Sequence, residues 1–246
     1  MVYAGMAQSR LTENRQILHD RDIREPLFDF LEERYGKVRI LEEKQMGRSR
    51  ADIVMVLERA VVGVEIKSDA DTYVRLARQV KDYDQYFDRN YVVVGTSHAM
   101  HIREHVPDWW GVITVELENG APDFYVLREA SENPGVDLKK KLSLLWRPEL
   151  AHLQEKNEMP RYEERSKVFV IGKLAERVSA DVLSGQISEE LFERDYTEIA
   201  QSIEAYREEK GRGTGRKKST AIVTGRRKSK KSGRLQTKRT GSRKKT

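Results

Sequence analysis

Cysteine is absent from this sequence. That excludes disulfides, thiolate nucleophiles, cysteine-ligated zinc and iron–sulfur clusters. No apolar run approaches the ~20 residues a membrane helix needs. The start, Met1-Val2-Tyr3-Ala4-Gly5-Met6, lacks the basic beginning and long apolar stretch of a secretory signal. A soluble cytoplasmic protein with no membrane partner is the expectation. A third absence is local. Residues 210–246 contain no Asp or Glu, yet hold 16 of the 46 Lys and Arg residues, which leaves the first 209 residues with 30 bases against 40 acids. The formal net charge of +6 therefore adds an acidic body to a strongly basic tail. Such asymmetry points to a polyanion partner.

Apolar residues are also nearly missing from that tail, so burial cannot offset its ordering entropy and disorder is expected there. It contains two near-repeats, Gly215-Arg216-Lys217-Lys218-Ser219 and Gly225-Arg226-Arg227-Lys228-Ser229. Arg216, Lys217, Lys218, Arg226, Arg227 and Lys228 are the expected nucleic-acid contacts. Groups of this kind touch phosphates, so they carry affinity rather than sequence choice.

In the body, residues 1–20 are polar and form an N-terminal extension. Ile23, Leu27, Phe28, Phe30 and Leu31 then give a helical stripe, with Asp22 as a capping residue, Pro26 in the first turn and Gly36 as the stop. Strands are predicted at 38–42, 51–57 and 61–67, the last two joined as a hairpin and apolar at nearly every position. Asp71 or Thr72 caps a helix to about Phe87. Further strands fall at 91–95, 112–115 and 124–127, with a short helix over 98–106 and a turn at Glu118-Asn119-Gly120. The helix preceding the strand at 91–95 implies a crossover connection. Residues 131–209 read as a helical C-terminal segment, with a stripe through Val168, Ile171, Leu174, Ala175 and Val178, a loop near Ser184-Gly185, and a last helix through Leu191, Tyr196, Ile199 and Ile203. The expected fold class is α/β, a mixed central sheet flanked by helices over 21–130, followed by this helical segment and the basic tail.

The chemistry lies in Asp52 on one strand and Glu65-Ile66-Lys67 at the end of the next. Residues 65 and 67 share a face because the side-chain period of a strand is two. A hairpin brings Asp52 beside them. Asp52, Glu65 and the Ile66 carbonyl make a hard-oxygen set suited to Mg²⁺ or Mn²⁺, and Lys67 is placed to orient a water or stabilise phosphate charge. A solvated strand end is the plain alternative. Against it stands the apolar character of both strands, where unpaired charge is costly. The following helix adds Gln79 and Tyr83, an i, i+4 pair on one face.

This string resembles the core of the PD-(D/E)XK nuclease superfamily (restriction-endonuclease-like). With Glu65-Ile66-Lys67-Ser68-Asp69, Asp71-Thr72 and Val106-Pro107-x-Trp109-Trp110-Gly111, it resembles a small group of bacterial and phage-associated members. The resemblance covers about residues 20–127. It implies Mg²⁺-dependent hydrolysis of DNA, with Asp52 and Glu65 as metal carboxylates, Lys67 as the catalytic lysine, and Gln79 and Tyr83 supporting the site or the DNA. A further acid is usual, and Glu43 is the candidate, with Glu42 and Glu25 as rivals. The family's proline before the aspartate is missing, since the chain reads Arg50-Ala51-Asp52. Two other readings stay open. One is a DNA-binding module on the same fold without catalysis. The other is a zinc peptidase using His101-x-x-Glu104-His105, with His98 nearby. Trp109-Trp110 fits core packing better than base stacking. The oligomeric state, a homodimer included, is left open.

Overall fold

The computed structural model describes residues 18–194. The basic tail, with Arg216, Lys217, Lys218, Arg226, Arg227 and Lys228, lies outside the described residues, as do Tyr196, Ile199 and Ile203. The described chain runs α1 (Asp20–Tyr35), β1 (Arg39–Met46), β2 (Ser49–Val56), β3 (Val61–Lys67), α2 (Leu76–Tyr86), β4 (Arg89–Gly95), α3 (Thr96–Ala99), β5 (Gly111–Glu118), β6 (Ala121–Arg128), α4 (Leu138–Leu142), α5 (Arg147–Lys156), α6 (Lys167–Arg177) and α7 (Ala180–Phe192). Six strands form one sheet in chain order. β1, β2 and β3 are antiparallel, β3 pairs parallel with β4 and β4 with β5, and β6 returns antiparallel. The mixed sheet flanked by helices is the expected class. Among the described residues no helix is long and apolar enough to cross a membrane.

Both faces of the sheet are covered, which is why its central strands lack polar alternation. On one face Ile23, Leu27 and Leu31 of α1 pack on Ile53, Val64, Val93 and Ile113. On the other, α2 and the C-terminal helices share a core with Val54, Val56, Val92 and Val112, to which α4–α7 contribute Leu142, Leu150, Leu174 and Leu183. All seven residues of β3 are buried, Glu65 and Lys67 included. Gly63 makes that possible, because a Cβ there would fall 2.4 Å from the Phe87 ring and 2.5 Å from Tyr83. The missing side chain lets α2 lie directly on the strand.

Several local expectations are corrected. α1 begins before Asp22. His19 is its cap, and Asp22 accepts the His19 amide from within the first turn, a reciprocal arrangement open to an acid three residues after the cap. Pro26 therefore sits in the helix interior. Asp71 does not cap α2. Its carboxylate accepts the Ser68 amide at 2.9 Å and the Ser68 hydroxyl at 2.7 Å, closing the loop after β3, and a 3-10 turn at Tyr73–Arg75 leads into α2. Ser184-Gly185 is not a loop but mid-helix in α7. Gly there costs on the order of 1 kcal/mol, which burial of Leu183, Ile187 and Leu191 outweighs. The helix expected at 98–106 is only α3 and a separate 3-10 turn, Ile102–Glu104.

Candidate functional site

The site arises where β2 leaves β3. Their ladder ends at Ile53↔Val64, while β3 continues beside β4 through Lys67↔Val94. Past the last rung, the Ile66 amide donates to Asp52 Oδ2 at 2.9 Å. A carboxylate thus takes over a backbone donor released by the parting strands. Asp52 and Glu65 become neighbours at the floor of a cleft of about 490 Å³.

Glu65 is fully buried, and both of its oxygens are engaged. Oε1 accepts from Lys67 Nζ and from Gln79 Nε2. Oε2 accepts from the Tyr83 hydroxyl at 2.7 Å, and that hydroxyl also accepts the Asp52 amide at 3.3 Å. Lys67 Nζ lies 3.4 Å from the Ile66 carbonyl. Burial, then the charges of Glu65 and Asp52, push the Tyr83 phenol well above its ordinary range, so it stays a neutral donor. Trp110 backs Tyr83 at 5.4 Å between ring centres, and is itself held by Nε1 donating to Asp84 at 2.8 Å.

Asp52 is less well compensated. Burial first, and the Glu65 charge next, hold its carboxyl up to about 7, against the opposing Ile66 amide and Lys67. A buried carboxylate and a half-buried one share one lysine. Gln79 Oε1 is buried nearby with no hydrogen-bond partner. Among the described residues no group of three His, Cys, Asp or Glu is placed to hold a metal. Two carboxylates, a peptide carbonyl and an unsatisfied amide oxygen nevertheless fit a small divalent cation, which commonly binds through one or two carboxylates and keeps several waters. A further positive charge is also what this pair of acids lacks.

The structure therefore brings Asp52, Glu65, Ile66, Lys67 and Gln79 together. Tyr83 is there too, but with no exposed surface, so it positions Glu65 and cannot touch nucleic acid as expected. Glu43 is corrected as well. It lines the cleft wall at a strained φ of 51°, with its carboxylate on Arg50 at 3.1 Å rather than in the Asp52–Glu65 pair. Glu42 faces Arg24 at 3.6 Å, and Glu25 is exposed on α1 away from the cleft. The acid that sequence reasoning missed is Asp20, which lines the cleft and acts electrostatically on Asp52. Arg24 fixes it, with Nη2 2.8 Å from Asp20 Oδ2 while Nη1 donates to the Asp52 carbonyl at 3.1 Å. Burial opposes the Arg24 charge, and Asp20, Asp52 and Glu42 more than restore it. The available signal was the Asp20/Arg24 i, i+4 spacing at a helix start.

The His-x-x-Glu-His pattern does not form a site. Without a continuous helix its spacing no longer sets a common face. His101 and Glu104 are exposed 3.7 Å apart, and His105 stacks on Tyr73 at 4.3 Å. Trp110 is a core residue.

A family model described as bacteriophage P4 protein cII matches residues 13–212. The chain belongs to that family. The match spans the sheet, the cleft and the C-terminal helices. Among solved structures, Pyrococcus furiosus SfsA in complex with Ca²⁺ is similar at 16% identity with a TM-score of 0.27, over 45% of this chain and 60% of that one. Comparison with curated proteins finds no match.

Proposed function

We propose that this chain is a divalent-metal-dependent nuclease that hydrolyses DNA phosphodiester bonds, of the PD-(D/E)XK kind that its sequence resembles. The observation that carries this reading is the gathering of Asp52, Glu65 and Lys67 at one point of the cleft, where the two carboxylates have one lysine between them. A charge imbalance of this kind is costly for stability alone.

Asp52, Glu65 and the Ile66 carbonyl would hold Mg²⁺ or Mn²⁺. Bound there, such an ion supplies Lewis acidity toward a phosphoryl oxygen and lowers the pKa of a water. The protein's own groups do the rest. Gln79 and Tyr83 fix Glu65 in one orientation, and the Ile66 amide fixes Asp52. Lys67 places an ammonium beside Glu65 and the Ile66 carbonyl, where it can orient the attacking water or offset negative charge building on the phosphate. The basic tail supplies additional affinity for the backbone.

A cleavage assay on a panel of DNA forms with Mg²⁺ or Mn²⁺ tests this. Lys67→Ala and Asp52→Asn should each lower the rate by roughly 10²–10⁴-fold, the range lost with a positioned proton-transfer or charge-stabilising group. Cleavage that survives both substitutions removes the site assignment. Binding without cleavage on every form would favour a DNA-binding module on this fold.

A further inference from the structure

We infer that the folded body carries its own clamp for the DNA phosphate backbone, made of Arg48 at the β1–β2 turn and Arg75 and Arg78 at the start of α2. The inference deepens the nuclease reading and takes its ligand class from it.

All three arginines line the cleft that contains Asp52 and Glu65, and all three are exposed. Among the described residues none of their side chains has an ion pair or hydrogen bond, whereas Arg24 and Arg50 in the same cleft are tied to Asp20 and Glu43. An exposed arginine is ordinarily a solvated charge. These three differ in place: two separate elements deliver unpaired guanidinium groups to the rim of the cleft that holds the Asp52–Glu65 pair. The turn is seated, because a Cβ at Gly47 would fall 3.2 Å from Asp82 Oδ1 of α2, so Arg48 is carried against the helix that bears Arg75 and Arg78. Arg75 and Arg78 stand three apart, on one side of the helix entry. Guanidinium groups match phosphate oxygens in pairs. In a body whose first 209 residues hold 30 bases against 40 acids, a polyanion needs such a local landing point. Arg59 and Arg89 are also without partners among the described residues, but they line a different cleft with Asp88 and Lys141, and so provide a matched control.

The test uses the full chain carrying Asp52→Asn, without divalent metal, and measures duplex DNA binding by fluorescence anisotropy between about 50 and 200 mM salt. Replacing Arg48, Arg75 and Arg78 together by Gln should shrink the slope of log K against log salt by about 0.9 per lost contact, or roughly 2–3 in all. The loss should be equal on two duplexes of unrelated sequence. Arg59→Gln with Arg89→Gln should leave the slope unchanged. Gln replacements at Arg216, Lys217, Lys218, Arg226, Arg227 and Lys228 should produce a separate loss that adds to that of the clamp. The inference is overturned if the triple variant keeps the parent slope, if it loses no more than the Arg59/Arg89 control, or if its loss is confined to one duplex. Cleavage by the wild-type chain in Mg²⁺ is read separately. A slope loss without cleavage keeps the clamp and removes the nuclease, and the converse result removes only the clamp.

Discussion

At one end of β3 a single buried ammonium, Lys141, meets a single carboxylate, Asp88. At the other end Lys67 meets two, Glu65 directly and Asp52 across the strand gap. The ingredients are the same, but the balance is not. Lys141 Nζ donates to Asp88 Oδ1 at 2.7 Å, to Asp88 Oδ2 at 2.6 Å and to the Ser184 hydroxyl at 2.6 Å. Asp88 Oδ2 also accepts the Val61 amide at 2.7 Å. Burial pushes the Lys141 ammonium toward release of its proton, and Asp88 works against that. Every N–H of Lys141 has an acceptor and charge cancels, so this cluster is a fastener that joins α4 and α7 to the β3–β4 end of the sheet. A serine beside a buried lysine resembles a catalytic dyad in outline, but a lysine whose hydrogens go to both oxygens of a carboxylate and to the serine itself is not placed to act as its base. At the Asp52 end the acids outnumber the base, and Gln79 Oε1 is left without a partner. Counting charges within each buried cluster therefore separates structure from candidate chemistry better than the residue types do.

Lys141→Met strands the Asp88 carboxylate and should lower unfolding free energy by about 3 kcal/mol, the low end for a broken buried pair because Asp88 keeps some contact with water. Urea unfolding measures it, and Asp88→Asn in the same chain should recover part of the loss. A cost well below about 1 kcal/mol, the level of an ordinary surface pair, would mean that the cluster is not a fastener.

Asp52→Asn should act in the opposite direction. The Asp52 carboxyl is held up to about 7 in the fold, against an ordinary 3.8. Between those values the folded chain retains a proton that the unfolded chain has released. Stability from this group therefore falls as pH rises from about 4 to about 7. Thermal melts without metal should show wild type losing ground to Asp52→Asn across that window, with the variant ahead at pH 8 by up to about 4 kcal/mol. Addition of Mn²⁺ at pH 8 should raise the wild-type melt and leave the variant nearly unmoved. Equal melts at all pH values would show that the two acids are already compensated and would erase the contrast between the sheet ends.

The smallest effect belongs to a cluster that is neither fastener nor site. His101→Ala should change stability by less than about 0.5 kcal/mol, as exposed substitutions usually do, and leave the proposed DNA cleavage unaffected. Peptidase activity or bound zinc that disappears with this substitution would favour a zinc peptidase instead.

The sequence by itself determined the class of the fold, the burial of β2 and β3, and the convergence of Asp52, Glu65 and Lys67. Each depends on short-range regularities: a period of two in strands, a period near 3.6 in helices, and the cost of charge in an apolar run. The charge split between body and tail was equally plain. Only the tertiary structure decided what each neighbour does. By spacing alone Tyr83 fits a DNA contact, but α2 lies on Gly63 and buries the Tyr83 hydroxyl against Glu65. Glu43 looked like a third ligand, but a positive φ and Arg50 hold it at the wall. Asp20 carried only its i, i+4 spacing to Arg24 as a signal, because its role depends on Arg24 reaching a backbone carbonyl 28 residues away. The fastener at Asp88, Lys141 and Ser184 was hidden for the same reason. Spacing along the chain encodes which residues share an element. Which elements meet, and whether the charges they bring together cancel, is set by packing between distant segments.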